Sequence, residues 1–301
     1  MILVLRALGV GDLAAAVPAL RAVRAAFPDR TLALAAPAWL TPMIDLVGGV
    51  DRVVPTDGLA PRRWPIPPPE VAVNLHGRGP ESHRLLAAAE PAKLWAFAHA
   101  GAGHSDGPEW VEEEHEVHRW CRLVSHYGAD ADWSDLSLSV PPHPVRTGVT
   151  IIHPGAKSPS RRWPAERYAA VARALAQRGH RVAVTGSPGE RDVAVRVARE
   201  AGLPRAAALA GRTGIGELAG LVAHARLVIS GDTGIAHLAT AYRTPSVVLF
   251  GPVSPARWGP RPARARSATC HRSAGSRPSS APRARPPAHS SGCRSSGSGC
   301  G

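Results

Sequence analysis

Residues 226–260, RLVISGDTGIAHLATAYRTPSVVLFGPVSPARWGP, decide how the chain is read. Arg226 to Ser230 supply an apolar run of strand length, Gly231-Asp232-Thr233-Gly234 interrupts it, and Ile235 to Tyr242 have the small, apolar composition of a short helix. A second apolar run, PSVVLFG, follows. This order starts a helix at the carboxyl end of a strand, where unpaired backbone N–H groups and the positive end of the helix dipole face outward. An anionic group, a phosphate in particular, fits such a turn.

The same idiom extends in both directions. Residues 148–251 alternate GVTIIHPG, a helix from Ala165 to Gln177, RVAVTG, a helix from Glu190 to Glu200, AAALAG, a helix from Ile215 to Ala223, then RLVIS and PSVVLFG. Residues 1–98 alternate ILVLRA, a helix from Asp12 to Phe27, TLALAA, a helix from Trp39 to Val47, DRVVPT, EVAVNL, a helix near Ser82 to Ala89, and KLWAF. Such alternation predicts an α/β chain of two units, each a parallel sheet covered by helices. Glu112 to Tyr127 is an expected helix between them, and SVPPHPVRT at 139–147 has linker composition, which places a boundary near residue 145. The expected domains are 1–145, 146–260 and a tail, 261–301. PRRWPIPPPE at 61–70 is expected to be an ordered loop bordering the cleft.

Charge excludes less than it suggests. The net charge is +13, but eight arginines and no acidic residue fall in 261–301, so residues 1–260 carry only +5. Lys93 and Lys157 are the lysines, and Arg, Ala, Gly and Pro abound as expected of a GC-rich coding sequence. Nucleic acid is therefore not an expected partner of the body. From Arg261 onward there is no Leu, Ile, Val, Met, Phe, Trp, Tyr, Asp or Glu. Such a segment cannot build a core. It reads as a disordered basic tail, either native or the product of out-of-frame translation, and the second is favoured because the change follows directly on an unfinished domain. Cys121 stands alone in the body, and Cys270, Cys293 and Cys300 match no zinc spacing. With no secretory leader or membrane span legible, a cytoplasmic location is expected.

Further polar groups sit at other strand ends. LRALGVGD places Gly9, Gly11 and Asp12 directly after the first strand, but the third glycine of a dinucleotide fingerprint is Ala14, and no acidic residue ends TLALAA. A dehydrogenase reading fails there. Asp12 either caps the following helix or presents a carboxylate to a cleft as a general base. Pro18 predicts a kink or a split in that helix. In HPGAKSPSRRWP, Lys157, Arg161 and Arg162 cluster with Ser158 and Ser160 in a loop suited to clamping a diphosphate, or simply solvated. Glu190 in TGSPGERD either complements a helix dipole or accepts from ribose hydroxyls. His237, one turn past Gly234, is a donor if phosphate is near. His76, His83, His115 and His118 make no compelling metal set, and Glu112 to Glu116 read as a charged, solvated face.

Together, ILVLRALGVGDLAAAVPALRAVRAAFP, IIHPGAKSPSRRWP, VTGSPGERD, LAGRTGIGELAGLVAHARLVISGDTGIAHLA and PSVVLFGPVSPARWGP resemble glycosyltransferase family 9, the lipopolysaccharide heptosyltransferase family, over residues 1–260. The resemblance implies a GT-B fold: two Rossmann-like domains facing across a cleft, acceptor mainly on the first and nucleotide-sugar on the second. It implies inverting, metal-independent transfer of a sugar, a heptose among the candidates, from a nucleoside-diphosphate donor that is a substrate and not a cofactor. The acceptor is expected to be a glycan or lipid-linked hydroxyl, with peripheral membrane contact. Carried over by motif, Asp12 corresponds to the catalytic base, and Arg161, with Lys157, to a phosphate contact. Glu190 matches the ribose carboxylate, Thr213 a contact to the base region, and Asp232, Thr233, Gly234 and His237 the diphosphate and sugar site. Carboxyl-terminal elements that cross back over the cleft are expected to be missing. A nucleotide-sugar epimerase and an impaired nucleotide- or carbohydrate-binding protein are the alternatives; nucleic-acid binding through the tail alone is a third.

Overall fold

The apolar runs form two parallel sheets, each of five strands, in a computed structural model that describes residues 1–142, 146–251, 253–260 and, as backbone, 265–269. The first half contains β1 (Ile2–Leu5), α1 (Val10–Ala26), β2 (Leu32–Ala36), α2 (Thr41–Val47), β3 (Arg52–Pro55), β4 (Val71–Asn74), α3 (Glu81–Ala87), β5 (Lys93–Trp95) and α4 (Glu116–His126). The second contains β6 (Thr150–His153), α5 (Ala165–Gln177), β7 (Val182–Val184), α6 (Arg191–Glu200), α7 (Ile215–Ala223), β8 (Leu227–Gly231), α8 (Gly234–Ala241), β9 (Ser246–Phe250), α9 (Pro255–Trp258) and β10 (Ala265–Thr269). Strand orders are β3-β2-β1-β4-β5 and β10-β9-β8-β6-β7. Each sheet therefore reverses direction beside its first strand, between β1 and β4 and between β6 and β8. Ligands of such sheets bind beyond the carboxyl ends at that reversal. Residues 6–12 and 76 lie at the first reversal, and residues 154–162 and 232–237 at the second.

All four residues of β1 are fully buried, as expected of a central parallel strand covered on both faces. One apolar cluster runs through both halves: Leu13, Val17 and Leu20 of α1 belong to it with Val222, Val228, Ile235 and Leu238. The two halves also touch at backbone level. A side chain on Gly11 would lie 2.8 Å from Cδ2 of His237, and one on Gly234 would lie 2.8 Å from Cβ of Val10. Glycine at both positions lets the N-termini of α1 and α8 meet.

Several expectations are corrected. Pro18 neither splits nor ends α1, which is a single helix with Pro18 buried among Ala14, Ala15, Ala16 and Ala19. Packing on all sides outweighs one lost backbone hydrogen bond. AAALAG forms no strand of its own: Arg205–Ala207 is a short 3-10 turn and Ala208 makes an isolated parallel bridge to Val184. Alanine has little to pack on a pleated surface, and Gly211, at φ 69°, turns the chain away. Helix α4 starts at Glu116, where the imidazole of His115 accepts from the N–H of Val117 at 3.3 Å. Past Pro260, where the fold was expected to stop, β10 pairs in parallel with β9. An edge strand joins through backbone hydrogen bonds and needs no apolar run. The linker boundary near 145 and the tail's remaining residues lie outside the described residues.

Because the apolar cluster is continuous, Leu238→Ala is expected to lower stability by about 2–5 kcal/mol. Urea unfolding should remain a single transition, with fluorescence from the tryptophans of both halves lost together. Two separate transitions would contradict a shared core.

Candidate functional site

Strand β1 is followed directly by Arg6, whose side chain is fully buried. Its Nε and Nη2 both donate to the main-chain carbonyl of Asp12, at 2.9 and 2.7 Å, and Nη1 donates to the carbonyl of Leu75. Nη2 lies 3.4 Å from Glu116 Oε1 and 4.0 Å from Asp12 Oδ1. The guanidinium also sits 4.6 Å from the centre of the Trp120 ring. Glu116 is held in turn by Arg119 and by the indole N–H of Trp120 at 2.9 Å. Glu116 is thus part of a buried ionic network, which corrects the reading of 112–116 as a solvated face. Its carboxylate needs the three cationic and N–H donors that α4 and β1 converge on it.

Asp12 makes the helix cap that one reading of its sequence position expected. Its Oδ2 accepts from the N–H of Gly9 at 3.1 Å, closing the first turn of α1, yet its side chain keeps 31 % exposure. One carboxylate oxygen caps while the group stays accessible. His76, after β4, is close enough to Arg6 and Asp12 for their charges to act on it, and burial pushes its imidazole down to about 4. His237 lies on the other side of Asp12, across the Gly11 contact, and burial pushes it down to about 4 as well.

In the second half, Asp232 is buried at the end of β8 and pairs with Arg161, Nη1 to Oδ2, at 3.3 Å. Burial raises the Asp232 carboxyl and Arg161 partly offsets it. The hydroxyl of Thr233, at the N-terminus of α8, is buried without a hydrogen-bond partner. The loop carrying Arg161 lies across the strand ends: side chains on Gly231 and Gly251 would come within 3.2 Å of the main-chain oxygens of Arg161 and Ser160. Lys157 is exposed on that loop. Glu190 accepts from both the N–H and the hydroxyl of Ser187, each at 2.8 Å. A side chain on Gly155 would lie 2.1 Å from the Glu190 carboxyl carbon. The N–H of Gly211 donates to the carbonyl of Gly186 at 3.0 Å, which lays the loop leading to Thr213 against the turn leading to Glu190.

The residues singled out in the sequence therefore form two groups. Gly9, Gly11, Asp12, Asp232, Thr233, Gly234, His237 and Arg161 gather where α1 meets α8, with Lys157 exposed on the Arg161 loop, and Glu190 lies on the β7 side against Gly155, with the loop leading to Thr213 laid beside its turn. The sequence reading gave no site role to Arg6, Glu116, His76 or Gly155. A charged residue closing a fully apolar strand just before a glycine turn was the available signal for Arg6. The chain also folds back over this region: Trp258 stands edge-on to His237 with ring centres 5.7 Å apart, His115 Nε2 lies 3.1 Å from the Gly259 carbonyl oxygen, and Arg257 pairs with Glu112 at 3.0 Å. Residues 257–259, inside the expected second domain, thus pack against α8 and the segment leading into α4. A cavity of about 270 Å³ bounded by His115, Trp133, Leu136 and Pro260 opens beside it. Among the described residues, no group of three or more His, Cys, Asp or Glu could hold a metal ion.

Both depressed histidines have a consequence for stability. An unfolded imidazole titrates near 6.5. Between about 4 and 6.5 the unfolded chain binds more protons at His76 and His237 than the folded one, so their contribution is intact above 6.5 and is lost as pH falls toward 4. The raised Asp232 opposes this only at the acid end. Urea midpoints should fall from pH 7 to pH 4.5, and His237→Gln should flatten that fall.

Comparison with known proteins bears on the family and the fold. The family model for glycosyltransferase family 9 (heptosyltransferase) matches residues 109–281, continuing past Pro260. Lipopolysaccharide heptosyltransferase 3 of Escherichia coli is 33 % identical over 132 residues, 43 % of this chain and 39 % of that protein. The match thus spans well under half the length of this relative. The solved structure of E. coli ADP-heptose lipopolysaccharide heptosyltransferase II superposes with TM-score 0.73 and 21 % identity, covering 89 % of each chain. An E. coli heptosyltransferase solved with ADP gives 0.70 at 19 % identity over 90 % of this chain and 93 % of that one. These likenesses establish the GT-B fold that the motifs implied. With the family match covering more than half of its residues, this chain belongs to glycosyltransferase family 9 (heptosyltransferase).

Proposed function

We propose that the protein transfers a heptose from a nucleoside-diphosphate heptose to a hydroxyl of a glycan or lipid-linked acceptor, with inversion and without a metal ion. The observation that carries this is the meeting of α1 and α8, which sets Gly11, next to Asp12, against Gly234 and His237, close enough for the Asp12 charge to act on His237. Asp12 takes the proton of the acceptor hydroxyl as its oxygen bonds to the anomeric carbon from the face opposite the diphosphate. The bond from that carbon to the diphosphate oxygen breaks, and the electron pair leaves with the diphosphate. Growing negative charge is received by the N–H groups of α8, the unpartnered hydroxyl of Thr233, Arg161 and Lys157. These supply the positive potential that a cation would otherwise bring. His237 stays neutral at working pH and acts as a hydrogen-bond partner, not a charge.

Glu190 binds the ribose hydroxyls, and Thr213 borders the base. ADP-heptose is the donor to try first, since solved relatives carry ADP or are named for it. We place the reaction on the cytoplasmic side of a membrane, with peripheral contact through the basic body. Among the described residues no helix is long and apolar enough to cross a membrane.

The direct test supplies ADP-heptose and a truncated lipopolysaccharide core to the purified chain and follows ADP release and product mass. Transfer should persist in EDTA and yield the inverted anomer. Asp12→Ala is expected to lower kcat by roughly 10²- to 10⁴-fold while ADP affinity is kept. Full activity in that variant would return Asp12 to a capping role alone.

Gly155→Ala tests the ribose site separately. The added methyl must displace the Glu190 carboxylate, whose carboxyl carbon would lie 2.1 Å away. The Kd for ADP, read by calorimetry, is expected to rise about tenfold, or ~1.4 kcal/mol. An unchanged Kd would remove Glu190 from ribose binding.

A further inference from the structure

We infer that Arg6 is a positioning residue for the proposed base, holding the Asp12 carboxylate beside a fixed, buried positive charge. The inference rests on the proposed role of Asp12. Arg6 spends two of its donors on a single acceptor, the main-chain carbonyl of Asp12, so the guanidinium plane sets where the first turn of α1 stands relative to β1. A third donor reaches the carbonyl of Leu75, tying the same group to the end of β4. Three chain segments therefore share one immobile cation. A side chain with no exposure, packed on Trp120, has little freedom to move away.

Its charge is directed by what surrounds it. Glu116 is the nearer carboxylate, but Glu116 is already paired with Arg119 and hydrogen-bonded by Trp120. Arg119 in turn donates to the carbonyls of Val111, Glu112 and Glu114 and lies over Trp110, so it is anchored to α4 and its leading loop. Glu116 is therefore shared between Arg6 and Arg119, and Asp12 stands 4.0 Å from the same guanidinium. The other groups facing Asp12 do not compete. His76 and His237 both titrate near 4 and are uncharged at neutral pH, and His115 lies farther out, against Gly259. Burial works against the charge on Arg6, and Asp12 and Glu116 are what restore it, so the three groups are mutually dependent.

The test compares the full-length protein with Arg6→Met and Arg6→Lys through the ¹³C-carboxylate NMR resonance of Asp12 at fixed pH, identified by its loss in Asp12→Asn, together with kcat and the Kd for ADP. Arg6→Met is expected to move that resonance and to lower kcat about 100-fold or more. Arg6→Lys keeps a cation but loses the two-donor grip; it should lower kcat about 10- to 100-fold. ADP affinity should survive in both. An Asp12 resonance unmoved in Arg6→Met overturns the inference, as does loss of ADP binding in step with kcat, which would mean general unfolding. Should Arg6→Met fail to fold, wild-type kcat in Arg6→Lys overturns it. If the wild-type protein transfers no sugar, the proposed function fails, while the carboxylate resonance still decides the role of Arg6.

Discussion

Two helix N-termini meeting through glycine is the constraint on which the site depends. Gly11 and Gly234 each face the other half of the chain, and any side chain at either position would enter atoms of His237 or Val10. Without that approach, Asp12 and the Thr233-Gly234 turn would be two unrelated features at the ends of two sheets. With it, the two features that the proposed transfer uses lie against each other. The continuous apolar cluster under α1 and α8 keeps the contact in register. A methyl group's worth of separation at this point would weaken every electrostatic term between the two sides.

The charges that shape this region are not those that dominate the composition. Eight of the arginines fall beyond residue 260 in the sequence, and exposed charges among the described residues are screened by solvent. Arg6, Glu116, Arg119 and Asp232 are buried, and each is matched by a partner or by converging N–H donors. Removing any one would strand the others in a poorly polarisable interior, a larger penalty than losing a surface pair. Depressed histidines on both sides of Asp12 follow from the same dryness.

Much of the site is local and so was legible early. The GDTG turn, the LRALGVGD turn and the SPGERD turn each announce a strand end and a helix start within a few residues. Arg6 and Glu116 were not, because 110 residues separate them and only the packing of α4 against α1 brings them together. Gly155 was passed over for the same reason: its need for no side chain comes from Glu190, on a different turn. Pro18 and AAALAG misled in opposite directions. A local rule against proline yielded to burial on all sides, and a local apolar run lacked the side-chain bulk to form a strand.

Alternating strand and helix patterns, the glycine turns and the order of the motifs were enough to establish an α/β chain of two like halves and its family character, since these rest on neighbours along the chain. Which carboxylate is capped, which is neutralised and which stands open beside a helix N-terminus was settled by tertiary packing alone. Ionic environment depends on groups that converge from distant segments into a space water has left, and no periodicity records that convergence.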